Sequence, residues 1–183
     1  MDRIENKIAI VTGAGTGIGE ATARAFVAAG ARTVFVGRRL EKLQEAARGL
    51  DSERLMLGAC DVSDRIAVDA LGAEVAAAWG GVDILVNNAG TNTNPRAVGA
   101  VDPEDWDHTI AINLTGVFNM VRAVLPGMRQ KEDGVIITVS SIAGLRASKL
   151  AGAAYSASKH GAVALTHSIN EEEVAHGIRA CAI

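Results

Sequence analysis

Ile8-Ala9-Ile10-Val11-Thr12-Gly13-Ala14-Gly15-Thr16-Gly17-Ile18-Gly19 is the stretch that decides the fold. A short β-branched run opens directly into a glycine cluster, and the cluster leads into an Ala-rich stretch from Gly19 through Ala29. That change of rhythm predicts strand, turn and helix. The same alternation continues outward. Thr33-Val34-Phe35-Val36 gives way to a helical Leu40 through Leu50, and Leu55-Met56-Leu57 to a helical Ile66–Trp79. Ile84-Leu85-Val86 precedes a long helix from about Pro103 to Arg129, Val135-Ile136-Ile137-Thr138-Val139 precedes a helix near Ala153–His176, and Gly177 through Ile183 starts a sixth strand. These strands read as continuous apolar runs, which implies cover on both faces, as right-handed crossovers in a parallel sheet provide. The expected fold class is α/β, a doubly wound parallel sheet with helices on both faces.

At 183 residues with 49% hydrophobic composition the chain fits one domain, 1–183, with a real core. Its net charge of −3 and its single tight basic pair, Arg38–Arg39, speak against a nucleic-acid groove or an anionic membrane partner and for small molecules. Met1 through Lys7 is too charged for a signal peptide, and no apolar run approaches the roughly 20 residues of a membrane span, so a cytoplasmic location is expected. Cys60 and Cys181 lie far apart and are expected as free thiols. None of His108, His160, His167 and His176 stands at metal-ligand spacing to a cysteine or a second histidine, so no metal is expected. No repeat or linker interrupts the chain, and Thr91–Pro95 reads as one surface loop.

The glycine cluster carries the first chemistry. Glycine is needed where the chain turns with positive φ and where a pyrophosphate must approach the backbone, and the amides opening the next helix then face the anion. Ile18 breaks the GxGxxG spacing of the Rossmann fingerprint, whereas Gly13, Gly17 and Gly19 form GxxxGxG. Gly15 and Thr16 complete the cradle. The second strand ends in Val36-Gly37-Arg38-Arg39. In dinucleotide folds an acidic residue there accepts from the adenosine ribose, and an arginine meets a 2′-phosphate. Gly37 occupies the acidic slot and Arg38 follows. A charge-assisted bond of roughly 1.5–3 kcal/mol then favours NADP(H) over NAD(H) by about ten- to a hundredfold, with NAD(H) still possible.

Tyr155-Ser156-Ala157-Ser158-Lys159 places a tyrosine and a lysine four apart, on one face if the segment is helical. A free tyrosine has a pKa of about 10, and bringing one near 7 takes about 4 kcal/mol of preference for the phenolate. One ammonium at about 4 Å, at an effective dielectric near 20, supplies energy of that order. Such a tyrosine can protonate a carbonyl oxygen, or accept a proton in the reverse direction.

With these motifs in this order the chain resembles the short-chain dehydrogenase/reductase family from about Lys7 to Ile183. The resemblance implies a Rossmann-like fold and an oxidoreductase moving a hydride between nicotinamide C4 and a carbonyl or secondary alcohol without metal. It implies that Asp61, in Cys60-Asp61-Val62, bonds the adenine amino group, that Asn87-Asn88-Ala89-Gly90 ties strands together and leaves room for a ribose, and that Lys159 also holds the ribose hydroxyls. It places a catalytic serine in Ser140-Ser141-Ile142-Ala143-Gly144. The Ser-x-x-Gly pattern selects Ser141, with Ser140 as the open alternative, since the interval to Tyr155 is one residue longer than usual. Asn113 completes a tetrad and is implied to hold a proton-relaying water. As a string Asn113-Leu114-Thr115 is also a glycosylation sequon, a reading at odds with its place midway along an apolar helix. Ala-rich faces near Pro103–Arg129 and Ala153–His176 resemble the family's dimer interface, so a homo-oligomer, dimer or tetramer, is implied.

Family members continue for several dozen residues beyond the start of the sixth strand. The resemblance therefore implies a missing C-terminal part that supplies a lid over the substrate and the last strand. An active oxidoreductase and a truncated or catalytically silent nucleotide-binding protein both stand as readings. An S-adenosylmethionine methyltransferase ranks far behind, because it shares the glycine loop and not the Tyr155–Lys159 pair.

Overall fold

A computed structural model describes residues 4–183. Six strands form one parallel sheet in the order β3-β2-β1-β4-β5-β6. The strands are β1 (Ile8–Thr12), β2 (Arg32–Gly37), β3 (Leu55–Ala59), β4 (Ile84–Asn87), β5 (Gly134–Thr138) and β6 (Ile178–Ala182). Helices α1 (Gly17–Ala28), α2 (Leu40–Ala46), α3 (Arg65–Trp79), α4 (Pro103–Ile110), α5 (Gly116–Lys131) and α6 (Ala153–Glu173) connect them. Because β1 lies between β2 and β4, the chain winds one way from β1 to β3 and the other way from β4 to β6. This makes it the expected doubly wound, Rossmann-like sheet, with helices on both faces.

Period-two alternation along each strand sorts the core into two clusters. Ile8, Ile10, Val34, Leu85, Ile136 and Ile178 pack with residues of α3, α5 and α6, and Ala9, Val11, Phe35, Ile84 and Val86 pack with Ala23, Val27 and Leu43 of α1 and α2. All positions of β1 and β4 are buried, as continuous apolar runs require. The expectation of two-sided cover does not hold at β5 and β6. There burial alternates, because α1 and α2 make their main contacts with β1 to β3, leaving Val135, Ile137 and Val139 half-buried and Cys181 and Ile183 exposed.

The long helix expected from Pro103 to Arg129 runs to Lys131 and is broken in register by a π turn, Ala111–Thr115. Asp102 caps its start by accepting from the Glu104 N–H at 2.9 Å, with Pro103 in the first turn. Its 29 residues are long and apolar enough to cross a membrane by length and composition, a match that counting only strictly apolar runs missed. In the fold Val117, Met120, Val121, Val124 and Met128 lie in the core against the sheet.

Candidate active site

At the switch point of the sheet the carboxyl ends of β1 and β4 part, and the structure opens a cleft there of roughly 370 Å³. Thr12, at the end of β1 and 1% exposed, holds its two sides together. Its hydroxyl oxygen accepts from the N–H groups of Asn88 and Ala89, both at 2.9 Å, and the Asn88 side-chain amide donates back to the Thr12 carbonyl at 2.9 Å. Gly13 turns with φ 67°, and a Cβ there would stand 2.8 Å from the Asn88 amide nitrogen. Gly19 lies beneath, where any side chain would strike the Gly13 carbonyl. Gly17 opens α1 with φ 60° and open space where a side chain would be. The Thr16 hydroxyl does not cap this helix, so its first-turn amides are left for another acceptor.

Of the residues that the sequence singles out for the cofactor, Gly13, Gly15, Thr16, Ile18, Arg38, Asp61, Val62, Asn88, Ala89 and Gly90 line this cleft, and Gly17 and Gly19 lie at its base without lining it. Asp61 accepts from the Ser63 N–H at 2.9 Å and hydroxyl at 2.7 Å, and Arg38 stands 3.9 Å away. Partial burial pushes the Asp61 carboxyl up, but those bonds and the guanidinium outweigh it and hold the group below the ordinary range. Val62 seats against Gly116, where a Cβ would fall 2.6 Å from its methyl. Sequence reasoning missed Lys42, Leu43, Thr91 and Ile112 as cleft residues. They come from the walls of neighbouring helices and a loop, where no motif marks them.

Gly90 joins the cleft to the second group of residues. The position of its absent Cβ is 3.5 Å from Asn113 Oδ1 and 3.7 Å from Lys159 Nζ. The π turn aims Asn113 there. Asn113 Oδ1 accepts from the Thr91 N–H at 2.8 Å, while Nδ2 donates to the Thr91 carbonyl at 2.8 Å and to Ser158 Oγ at 3.1 Å. With these bonds the amide is mostly committed to fixing the Gly90–Thr91 backbone, and one Oδ1 lone pair is left for a water. Ser158, unremarked in the sequence, donates in turn to the Tyr155 carbonyl at 2.8 Å.

Lys159 is 5% exposed and donates to the Val139 carbonyl at 2.7 Å, and burial pushes its pKa down. Its ammonium lies 5.6 Å from the centre of the Tyr155 ring, so helix α6 presents the pair on one face as the four-residue spacing requires. Ser141 caps the short turn Ile142–Gly144 by accepting from the Ala143 N–H at 3.1 Å. Ser140 instead donates to the Lys159 carbonyl at 3.5 Å, and a Cβ on Gly144 would fall 2.5 Å from its oxygen. Neither serine bonds the Tyr155 hydroxyl here. Among the described residues no cluster of three His, Cys, Asp or Glu side chains could hold a metal ion.

The family model for short chain dehydrogenases matches residues 7–183. The chain belongs to the short-chain dehydrogenase family. An uncharacterized oxidoreductase of Staphylococcus aureus strain MW2 is 34% identical over 183 residues, all of this chain and 78% of the relative. Among solved structures, a short-chain dehydrogenase from Streptomyces avermitilis superposes with a TM-score of 0.90 at 32% identity, covering 97% of this chain and 64% of that one. A metagenomic short-chain oxidoreductase in complex with NADP gives a TM-score of 0.90 at 38% identity, over 98% of this chain and 81% of that one. The family is one of oxidoreductases. This member spans about two thirds to four fifths of the length of those relatives.

Proposed function

We propose that this short-chain dehydrogenase is an NAD(P)-dependent oxidoreductase acting on a small-molecule carbonyl or secondary alcohol, with cofactor cleft and catalytic residues in one domain, 1–183. The supporting observation is that Lys159 and Asn113 meet against Gly90, which itself lines the cleft, with Tyr155 on the same face of α6 as Lys159. The glycine cradle, where side chains at Gly13 and Gly19 would collide with backbone or with Asn88, fits a pyrophosphate brought close to the backbone. A bound nicotinamide supplies or accepts the hydride. The Tyr155 hydroxyl gives its proton to the carbonyl oxygen during reduction and takes it back in the reverse direction. Ser141 donates a hydrogen bond to the same oxygen as charge gathers on it. Lys159, its ammonium 5.6 Å from the centre of the Tyr155 ring, is released from the Val139 carbonyl to hold the ribose hydroxyls. Asn113 keeps Gly90 and Thr91 in place and uses its remaining lone pair for the relay water.

At the adenosine end Asp61 takes the adenine amino group and Arg38 takes a 2′-phosphate, which favours NADP(H). Exposed Trp106 and Val98 flank a groove that Ala153 and Ala157 of α6 also line, and we infer that a second copy covers this side in a homo-oligomer.

The test has two arms. Fluorescence titration should show NADPH binding more tightly than NADH. Tyr155→Phe should abolish turnover of a ketone substrate and leave NADPH affinity within about twofold. Turnover that survives the substitution refutes the role given to Tyr155, and loss of NADPH binding with it would mean that the tyrosine serves the cleft instead.

A further inference from the structure

The cleft wall at the adenosine end holds more positive charge than one phosphate contact accounts for. Arg38, Arg39 and Lys42 all line it within five consecutive positions, and among the described residues Asp61 is the only carboxylate that does. This local excess of cations stands out in a chain whose net charge is −3. Two of the cations are engaged by carboxylates, to different degrees. Arg38 leans toward Asp61 at 3.9 Å, and Lys42 Nζ donates to Glu45 Oε2 at 2.7 Å.

Lys42 belongs to the glycine loop as well as to α2. A Cβ on Gly15 would stand 3.1 Å from Lys42 Cβ, so the lysine stem crosses directly over the loop that cradles the dinucleotide. From that root a four-carbon stem can swing its ammonium between Glu45 and a phosphate lying between Gly15 and Arg38. The pair it would leave is weak, since both partners are more than a third exposed and sit three apart on a helix. A phosphate monoester with nearly two charges is the stronger partner.

We propose that Lys42 is a second reader of the 2′-phosphate, released from Glu45 on binding, while Arg38 keeps part of its attraction to Asp61. Discrimination between the two cofactors is then shared by Lys42 and Arg38. Glu45 acts as a competitor that holds the lysine when no phosphate is present. The proposal rests on the reading of the cleft as a dinucleotide site.

The test needs no turnover. Adenosine 2′,5′-bisphosphate and AMP are titrated by calorimetry into the wild type, Lys42→Gln, Glu45→Gln and Arg38→Gln, with NADPH and NADH followed by fluorescence. Lys42→Gln should weaken the bisphosphate and NADPH about tenfold and leave AMP and NADH within about twofold. Glu45→Gln should tighten the phosphorylated ligands two- to threefold. Equal losses for both classes of ligand in Lys42→Gln, or none, overturn the proposal. Should Arg38→Gln remove the preference for NADPH while Lys42→Gln keeps it, the Lys42 assignment falls and the dinucleotide reading stands. Should the wild type bind none of the four ligands, the dinucleotide reading itself falls.

Discussion

Replacing Thr12 with valine removes one oxygen and keeps the shape of the side chain, so it isolates the hydroxyl that joins β1 to the β4 loop. That oxygen accepts from two backbone N–H groups at 2.9 Å and donates to the Val86 carbonyl at a long 3.4 Å. In the variant both amides face a methyl group. Leaving a buried donor unpaired costs about 1–3 kcal/mol. Asn88 and Ala89 are only partly buried, so water recovers some of that loss and the lower half of the range applies. Over the two amides the expected destabilisation is about 2–4 kcal/mol, which for a domain of this size lowers Tm by roughly 4–16 °C. Urea unfolding should show the same loss with an unchanged m-value, because the unfolded surface is the same. Thr12→Ser keeps the oxygen and loses one methyl group, at a cost of about 1 kcal/mol. A valine variant at least as stable as the serine variant would refute the claim that the hydroxyl, and not packing, closes the cleft floor.

Gly13→Ala should fail on two counts, a positive φ and a Cβ 2.8 Å from the Asn88 amide nitrogen. A destabilisation of about 2 kcal/mol or more and a loss of nucleotide binding are expected, read by thermal melting with and without NADPH. The Glu173 carboxylate is held below the ordinary range first by its bond from Arg129, with Nε at 2.7 Å, so its contribution is present above the usual carboxylate range of about 4.3 and lost as pH falls through its lowered folded value. Glu173→Gln should therefore melt earlier than the wild type at pH 7, and the gap should close toward pH 3; a gap independent of pH would mean that the loss is one of packing. Burial, with Asp61 and Asp64 nearby, pushes the Cys60 thiol up to about 11, while Cys181 is exposed. Iodoacetamide at pH 8 should label Cys181 well before Cys60, as read by peptide mass spectrometry, and equal rates would contradict the burial of Cys60.

The doubly wound sheet was legible because its signals are local. Each strand is a short apolar run, each helix carries its own period, and the turn at Gly13–Gly19 has few backbone solutions. The cleft at the switch point was legible for a related reason, since its glycines and strand-end residues come in contiguous strings. Lys42 and Ile112 were not legible as cleft residues, because they reach it from the walls of helices whose placement depends on tertiary packing. Ser158 escaped for the same reason: its partner Asn113 is 45 positions away. The π turn left no mark either, as its five residues read as ordinary helix. The half-covered face of β5 and β6 follows from which helices extend over which strands, a property of the topology and not of any strand's own composition.

That π turn makes the helix around Asn113 one residue too long for its own hydrogen-bond ladder. Deleting one residue within Ala111–Thr115 would let the ladder close, and rotate everything on one side of the cut by about 100° relative to the other. With α5 locked into the core, the turned part would include α4 and Asn113, whose amide would swing away from Thr91 and Gly90. The shortened helix should be the more regular one, and the Gly90–Thr91 backbone should lose the side chain that fixes it. Length at this point is therefore constrained by geometry rather than by the identity of the residue removed, and a single codon deletion would exchange the anchor of the Gly90–Thr91 backbone for helical regularity.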